Sequence, residues 1–194
     1  MSNVVRGTEQ ARAVSKRKAI LDAASKLMVA EGLRRVTHRQ VAAEAGVPVG
    51  SIGYYYSSRE KLIEVCFEDI HRRRLDIARR LVSEAEESAT HGKVADDILA
   101  IATAGSPDAL GGLICAAVDA SREQRDKGKK RVKEQANEAL EQIGALLKRS
   151  GCPRVSAREA VDVMIGAAVV GVQVGEMAHE NARDALLRLF AGRC

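Results

Sequence analysis

The apolar positions of this chain recur every three or four residues, the spacing that places side chains on one face of an α-helix. The first run predicts a helix over residues 14–31, with Gly32 at its end. Five residues form its apolar face: Ile20, Leu21, Ala24, Leu27 and Met28. Residues 1–12 lack this pattern, so we expect a mobile basic arm there.

Residues 37–56 predict two short helices joined by a tight turn. Thr37 and Gln40 form a capping-box pattern, in which a hydroxyl residue precedes Glu or Gln by three positions. Gly46 is suited to end the first helix, and the second can begin at Pro48, because proline is tolerated in a first turn. Such a pair is a helix-turn-helix, a motif that places its second helix in the major groove of DNA.

Further helices follow to the end of the chain. Ser57 and Glu60 form a second capping box, which predicts a long helix from about Ser58. A short helix is expected over residues 94–103, and Ser106 before Pro107 predicts another start. Its apolar face is Leu110, Leu113, Ile114, Ala117 and Val118.

The charged run over residues 122–134 is interpreted as a solvated face or a helix junction, and a helix is predicted over residues 132–147. A third capping box, Ser156 with Glu159, predicts a helix over residues 157–179, and the last helix covers residues 183–190. The predicted fold is all-α. Residues 1–57 form a three-helix, helix-turn-helix DNA-binding domain, and residues 58–194 form a helical effector-binding and dimerisation domain.

The segment AGVPVGSIGYYYSSREKL resembles the signature of the TetR family of bacterial transcriptional repressors. The preceding AILDAASKLMVAEGLRRVT is similar to the family's first helix, so the resemblance covers about residues 14–70. Two positions depart from the family pattern. Gly53 stands where many members have a tyrosine that touches a backbone phosphate, and Pro48 stands where an N-capping serine is common. The resemblance implies a homodimer that binds a palindromic operator and releases it when a small-molecule effector binds.

The charge distribution agrees with a DNA-binding N-terminal segment. Residues 1–61 hold eleven Lys and Arg against five Asp and Glu, a net charge of +6. The remaining residues hold twenty against twenty-one, a net charge of −1. A basic segment joined to a neutral one is typical of a DNA-binding module attached to a domain with another role.

The candidate DNA contacts follow from helix ends and outward positions. Thr37, Ser57 and Arg59 lie at predicted helix N-termini, which favour phosphate, and Arg39 can reach a guanine edge or a phosphate. The full set is Thr37, Arg39, Gln40, Val49, Gly50, Ser51, Tyr54, Tyr55, Ser57, Arg59 and Lys61.

Ala167, Gly171 and Gly175 recur every fourth residue and predict a flat stripe at which two helices approach closely. In the family the final two helices form a four-helix bundle with a second subunit, so we expect the stripe at a dimer interface. Burial of the stripe within one subunit is the alternative. The predicted interface is Val163, Ala167, Val170, Gly171, Val174, Gly175, Leu186, Leu189 and Phe190.

An effector pocket would be apolar and is expected to suit a small apolar or acyl-like molecule. Its predicted lining is Phe67, Ile98, Ile101, Leu110, Leu113, Ile114, Cys115, Val118 and Leu146, most of which could equally be core. Only five aromatic residues are present in the chain, which disfavours an aromatic cage for quaternary ammonium compounds.

No catalytic motif is present, and the four histidines lie far apart in sequence, so an enzyme is disfavoured. The four cysteines lack metal-ligand spacing, so reduced thiols, no metal and no cofactor are expected. No apolar run reaches the roughly 18 residues of a membrane span. We therefore expect a cytoplasmic bacterial protein, nucleoid-associated when bound to double-stranded operator DNA. An architectural DNA-binding protein without a ligand is the alternative function.

Overall fold

The computed structural model describes residues 2–123 and 126–193, which form nine α-helices and no strand. The helices are α1 (Ser2–Glu31), α2 (His38–Ala45), α3 (Val49–Tyr55), α4 (Arg59–Glu84), α5 (His91–Ala102), α6 (Leu110–Glu123), α7 (Asp126–Arg149), α8 (Ala157–Gln173) and α9 (Ala178–Phe190). Short 3-10 turns precede α2 (Leu33–Arg35) and α6 (Pro107–Ala109). The all-α prediction is confirmed.

The chain divides by its contacts into two compact units, and the division falls between Glu68 and Asp69 inside α4. The predicted boundary, between residues 57 and 58, lies earlier in the chain, just before the start of α4. In the first unit α1 packs on α2 and α2 packs on α3. Its most buried side chains come from all four helices: Ile20, Met28, Val41, Ile52 and Leu62.

Helix α1 begins at Ser2, so the segment predicted as a mobile arm is helical in the structure. Its residues include Arg, Glu, Gln and Ala, which are strong helix formers. Residues 10–12 are exposed, so this part of the helix has no apolar face from which the sequence pattern could place a start before residue 14. Val14 itself is 68% exposed.

The core of the second unit is made by α5, α7, α8 and α9 together with parts of α4 and α6. Its most deeply buried members are Ala78, Val94, Ala95, Ile98, Leu146, Ala160, Ala168, Ala182, Leu186 and Phe190. Helices α8 and α9 pack against each other, and α9 also packs on α5. The predicted start of α8 is confirmed, because the Glu159 amide donates to the Ser156 hydroxyl at 3.1 Å.

Helix α8 ends at Gln173, six residues before the predicted end. Gly175 has a φ of +81°, the left-handed conformation that glycine adopts without strain. The Glu176 amide donates to Gly171 O at 2.9 Å and the Gly175 amide to Val172 O at 3.3 Å. These two bonds make a Schellman motif, so Gly175 ends the helix and is not part of a stripe along it.

Helices α5 and α6 and the turn between them also differ in detail from the prediction. Helix α5 begins three residues early, because the Thr90 hydroxyl accepts from the Lys93 amide at 3.3 Å and caps it. Ser106 makes no side-chain cap and opens a 3-10 turn. Helix α6 buries Ala116 and leaves Val118 46% exposed, so its inner face is rotated from the one predicted.

The polar turn of α4 from His71 to Arg74 is only partly solvated. Arg72 and Arg73 both pair with Asp69 on the same helix. Arg74 donates from Nε to Ala102 O at 2.9 Å, and burial lowers the pKa of its guanidinium. His71 Nε2 lies 2.9 Å from a Glu138 carboxylate oxygen on α7.

The cysteines correct one prediction. Cys115 is a free thiol, but Cys152 is disulfide-bonded, so the expectation that every cysteine is reduced is wrong. Cys194 lies outside the described residues.

Within residues 2–123 and 126–193 no single helix meets the length and hydropathy of a membrane span, although α5 and the segment Pro107–Arg122, bent by 59°, meet them as a pair.

Candidate nucleic-acid interface

Helix α2 begins with the predicted cap. The Gln40 backbone N–H donates to the Thr37 hydroxyl at 3.3 Å. The side-chain amide of Gln40 also lies within hydrogen-bond distance of that hydroxyl, at 3.0 Å. Both partners of the capping box are therefore half-buried and used within the chain. Arg39, between them, is exposed and makes no hydrogen bond within the described part of the chain, so its guanidinium is available for DNA.

The turn between α2 and α3 is a second Schellman motif. The Val47 amide donates to Ala42 O at 3.0 Å and the Gly46 amide to Ala43 O at 3.3 Å. Gly46 has a φ of +64°, as this motif requires. The turn leads to Pro48. This residue is the N-cap of α3, and the first helical residue is Val49.

Helix α3 runs without a break from Val49 to Tyr55, so Gly53 does not interrupt it. One side is anchored by Ile52, which is fully buried, and Ser51 and Tyr55 are half-buried. The opposite side carries Val49, which is 51% exposed, and Tyr54, which is 83% exposed. Gly50 and Gly53 lie on the same open side. Of the predicted contacts on α3, the structure exposes Val49, Gly50 and Tyr54, and Gly53 is exposed beside them. Their contact with DNA stays a prediction.

Tyr56 belongs to the core and not to the exposed face. It is 2% exposed, its hydroxyl donates to Arg17 O at 3.2 Å, and the Arg17 guanidinium lies 5.7 Å from its ring centre. Tyr56 therefore ties the end of α3 to α1 and fixes how the motif sits on its supporting helix. The sequence alone did not distinguish it from Tyr54 and Tyr55.

Arg59, one of the predicted phosphate contacts, makes hydrogen bonds within the chain. Its Nε donates to Val36 O at 2.9 Å and its Nη2 to Leu33 O at 2.6 Å. Its side chain is half-buried. These bonds hold the start of α4 against the 3-10 turn before α2, so Arg59 is a structural residue of the motif.

The N-terminus of α4 is capped one residue later than predicted. The Lys61 amide donates to the Ser58 hydroxyl at 3.1 Å, and Ser57 is exposed outside the cap. Glu60 accepts from its own backbone N–H and from Ser58, which lowers the pKa of its carboxyl. The Lys61 ammonium is exposed and lies 2.8 Å from a Glu64 carboxylate oxygen.

Comparison with known proteins identifies the family that this helix-turn-helix resembles. Residues 20–66, which contain α2, α3 and the end of α1, match the family described as bacterial regulatory proteins, tetR family. The chain carries a TetR-family DNA-binding domain. TetR-family proteins are DNA-binding regulators and not enzymes, so the expectation against catalysis follows from this assignment.

Three solved structures resemble the fold of this chain over nearly its whole length. The multidrug binding protein EbrR complexed with ethidium is 27% identical, with a TM-score of 0.57 over 90% of this chain and 98% of that one. A TetR-family member from Streptomyces coelicolor is 25% identical, with a TM-score of 0.60 over 90% and 98%. A TetR regulator from Haloarcula marismortui shares the fold alone, at 16% identity and a TM-score of 0.70 over 93% and 98%. No curated protein matches the sequence.

The residues predicted for a TetR-type dimer interface fall into three groups. Val170 and Val174 are exposed, and Gly175 lies in the turn after α8. Val163, Ala167 and Leu189 are half-buried. Gly171, Leu186 and Phe190 are buried within their own chain and present no surface to a partner.

Gly171 is small for a reason inside the chain. A Cβ built on it would collide with Asn181 Nδ2 and would lie 2.8 Å from Asn181 Cγ on α9. Close packing of α8 on α9 therefore explains this glycine. The apolar surface that remains open on α8 is instead made of Ile165, Val169, Val170 and Val172.

The predicted effector-pocket residues are mostly packed core. Ile98, Ile101, Leu110 and Leu146 are buried in one cluster with Ile114 packed against it, and Leu113 is buried as well. Cys115 and Val118 are exposed. Phe67 is half-buried and belongs to the first unit. The lining expected from helical faces is thus divided between core and surface.

Proposed function

We propose that this protein is a TetR-type transcriptional repressor that binds a palindromic operator as a homodimer and releases it when a small molecule binds the helical second unit. The observation that carries the proposal is the coincidence of the TetR-family match with a fully formed helix-turn-helix. Its second helix turns Val49, Gly50, Gly53 and Tyr54 outward. The net charge of +6 over residues 1–61 supports an approach to DNA phosphates.

Dimerisation is supported by the open apolar face of α8. Val169 is 42% exposed, Val170 58% and Val172 57%, and a Cβ on neighbouring Gly166 would meet nothing within 4 Å. Contiguous exposed apolar surface of this kind marks an interaction site. We assign it to a second copy of the chain, in an isologous contact that repeats the same residues on both subunits. Two recognition helices would then enter successive major grooves roughly 34–36 Å apart.

Effector release is supported by a relative that was solved with small-molecule ligands. EbrR, at 25–27% identity, is described as a multidrug binding protein and was solved with imidazole and with ethidium. For this chain we propose a cytoplasmic effector of undetermined identity that binds between the helices of the second unit.

Selection of bound fragments from a random DNA pool tests the proposal. A repressor of this type should enrich a palindrome whose half-sites are about one helical turn apart. Compounds that raise the unfolding temperature should then lower operator affinity, because the two sites are thermodynamically linked. A pool that yields no enriched sequence would contradict the operator. Stabilising compounds that never change DNA affinity would favour the ligand-free architectural protein.

A further inference from the structure

Two glycines occupy the centre of the outward face of α3, and nothing within the chain requires them. At roughly 100° per residue, Val49 and Tyr54 lie about 140° apart, with Gly53 and Gly50 between them. A Cβ at Gly50 or Gly53 would meet nothing within 4 Å, and neither has a positive φ. Glycine inside a helix is destabilising relative to alanine. The helix therefore tolerates this cost without any benefit to its own fold.

Helix α3 also lacks the side chains that read bases by paired hydrogen bonds. Its sequence is VGSIGYY, without Arg, Lys, Asn or Gln. Guanine is read by Arg or Lys and adenine by Asn or Gln, each through two hydrogen bonds in the major groove. The apolar group displayed in that groove is the C5 methyl of thymine. The exposed Val49 side chain and the bare glycine backbone are suited to that methyl group.

We propose that α3 places its glycine face, defined as Val49, Gly50, Gly53 and Tyr54, directly against the base edges and recognises thymine methyl groups by van der Waals contact. Hydrogen-bonded reading of bases is left to the exposed Arg39 on α2. The absence of a Cβ at positions 50 and 53 lets the helix backbone approach the groove floor. This inference rests on the proposed operator binding and specifies its chemistry.

Thymine-to-uracil exchange isolates the methyl group. Each thymine of the selected operator is replaced in turn by deoxyuridine, which keeps the base pairing and removes only the C5 methyl. The dissociation constant is measured by fluorescence anisotropy at fixed salt. Affinity should fall about fourfold for each buried methyl and about sixteenfold when both half-sites are changed. Val49→Ala should remove the thymine preference at one of these positions.

Gly53→Ala tests the close approach. Because the added Cβ meets open space in the free protein, the variant should unfold at the same or a slightly higher temperature. Its operator affinity should nevertheless fall by at least tenfold. Gly144→Ala on α7 is the matched control, since its Cβ would make an ordinary contact with Ala157 at 3.7 Å. It should leave operator affinity unchanged.

The outcomes separate this inference from the proposed function. A selected palindrome whose thymines all tolerate uracil would overturn methyl recognition and leave the repressor proposal intact. Gly53→Ala with wild-type operator affinity would overturn the close approach. If no sequence is selected from the pool at all, the proposed function fails first and this inference fails with it.

Discussion

Replacing Arg59 with alanine should destabilise the N-terminal unit itself. The guanidinium donates to Val36 O at 2.9 Å and to Leu33 O at 2.6 Å, and both acceptor residues are buried. A hydrogen bond from a charged donor contributes about 1.5–3 kcal/mol. The two bonds share one side chain and are not additive, so the free energy of unfolding should fall by about 2–4 kcal/mol.

Hydrogen–deuterium exchange locates the effect, because protection should be lost in peptides covering residues 33–45, where the two carbonyls and α2 lie. Urea denaturation gives the free energy. Arg59→Lys keeps the positive charge but lacks the planar fork that reaches two acceptors, so it should lose most of the same stability. Lys61→Ala is the control. Its ammonium is paired only with exposed Glu64 among the described residues, and such surface pairs contribute about 0–1 kcal/mol.

A different pattern would refute this reasoning. If Arg59→Ala unfolds at the wild-type urea midpoint while its DNA affinity loses about one unit of salt slope, Arg59 is a phosphate contact. Wild-type behaviour of Arg59→Lys in both measurements would support the same conclusion, because phosphate accepts either cation.

Four further measurements test other parts of the structure. Gly171→Ala should lower the stability of the second unit by about 1–3 kcal/mol through overpacking against Asn181, and Asn181→Ala should restore part of that loss; unchanged urea midpoints would show that the α8–α9 contact is looser. Val169→Glu should give a folded monomer in sedimentation velocity with weakened operator binding, and an unchanged dimer would place the interface elsewhere. Tyr56→Phe should lower stability by about 0.5–1.5 kcal/mol, because the hydrogen bond to Arg17 O is lost; no change in urea would count against that bond. Operator affinity should fall steeply between low and moderate salt, and a flat salt profile would contradict phosphate contact by the basic segment.

Helix boundaries set by local chemistry were predictable from the sequence. The Thr37 and Ser156 caps form as the capping-box pattern indicates, and Gly46 ends α2 as a left-handed residue. Each of these signals acts within about six residues, so no knowledge of neighbouring helices is needed. Thr90 also caps a helix, but Lys93 and not Glu or Gln stands three residues later, so the capping-box pattern does not mark the start of α5.

Features that depend on a neighbouring helix were not predictable in this way. Gly171 and Gly175 share a spacing, yet one faces Asn181 and the other ends α8. Arg59 has the charge and position of a phosphate contact, and only the fold brings two backbone carbonyls within its reach. Every residue has a backbone carbonyl, so the sequence does not show which carbonyl a side chain will reach.

The vacant space around Gly50 and Gly53 also makes α3 a place for protein engineering. A Cβ added at either position meets nothing within 4 Å in the chain. A randomised library at the pair would therefore consist largely of folded proteins. Screening such a library against altered half-sites could yield regulators that address new promoters while their second unit remains unmodified.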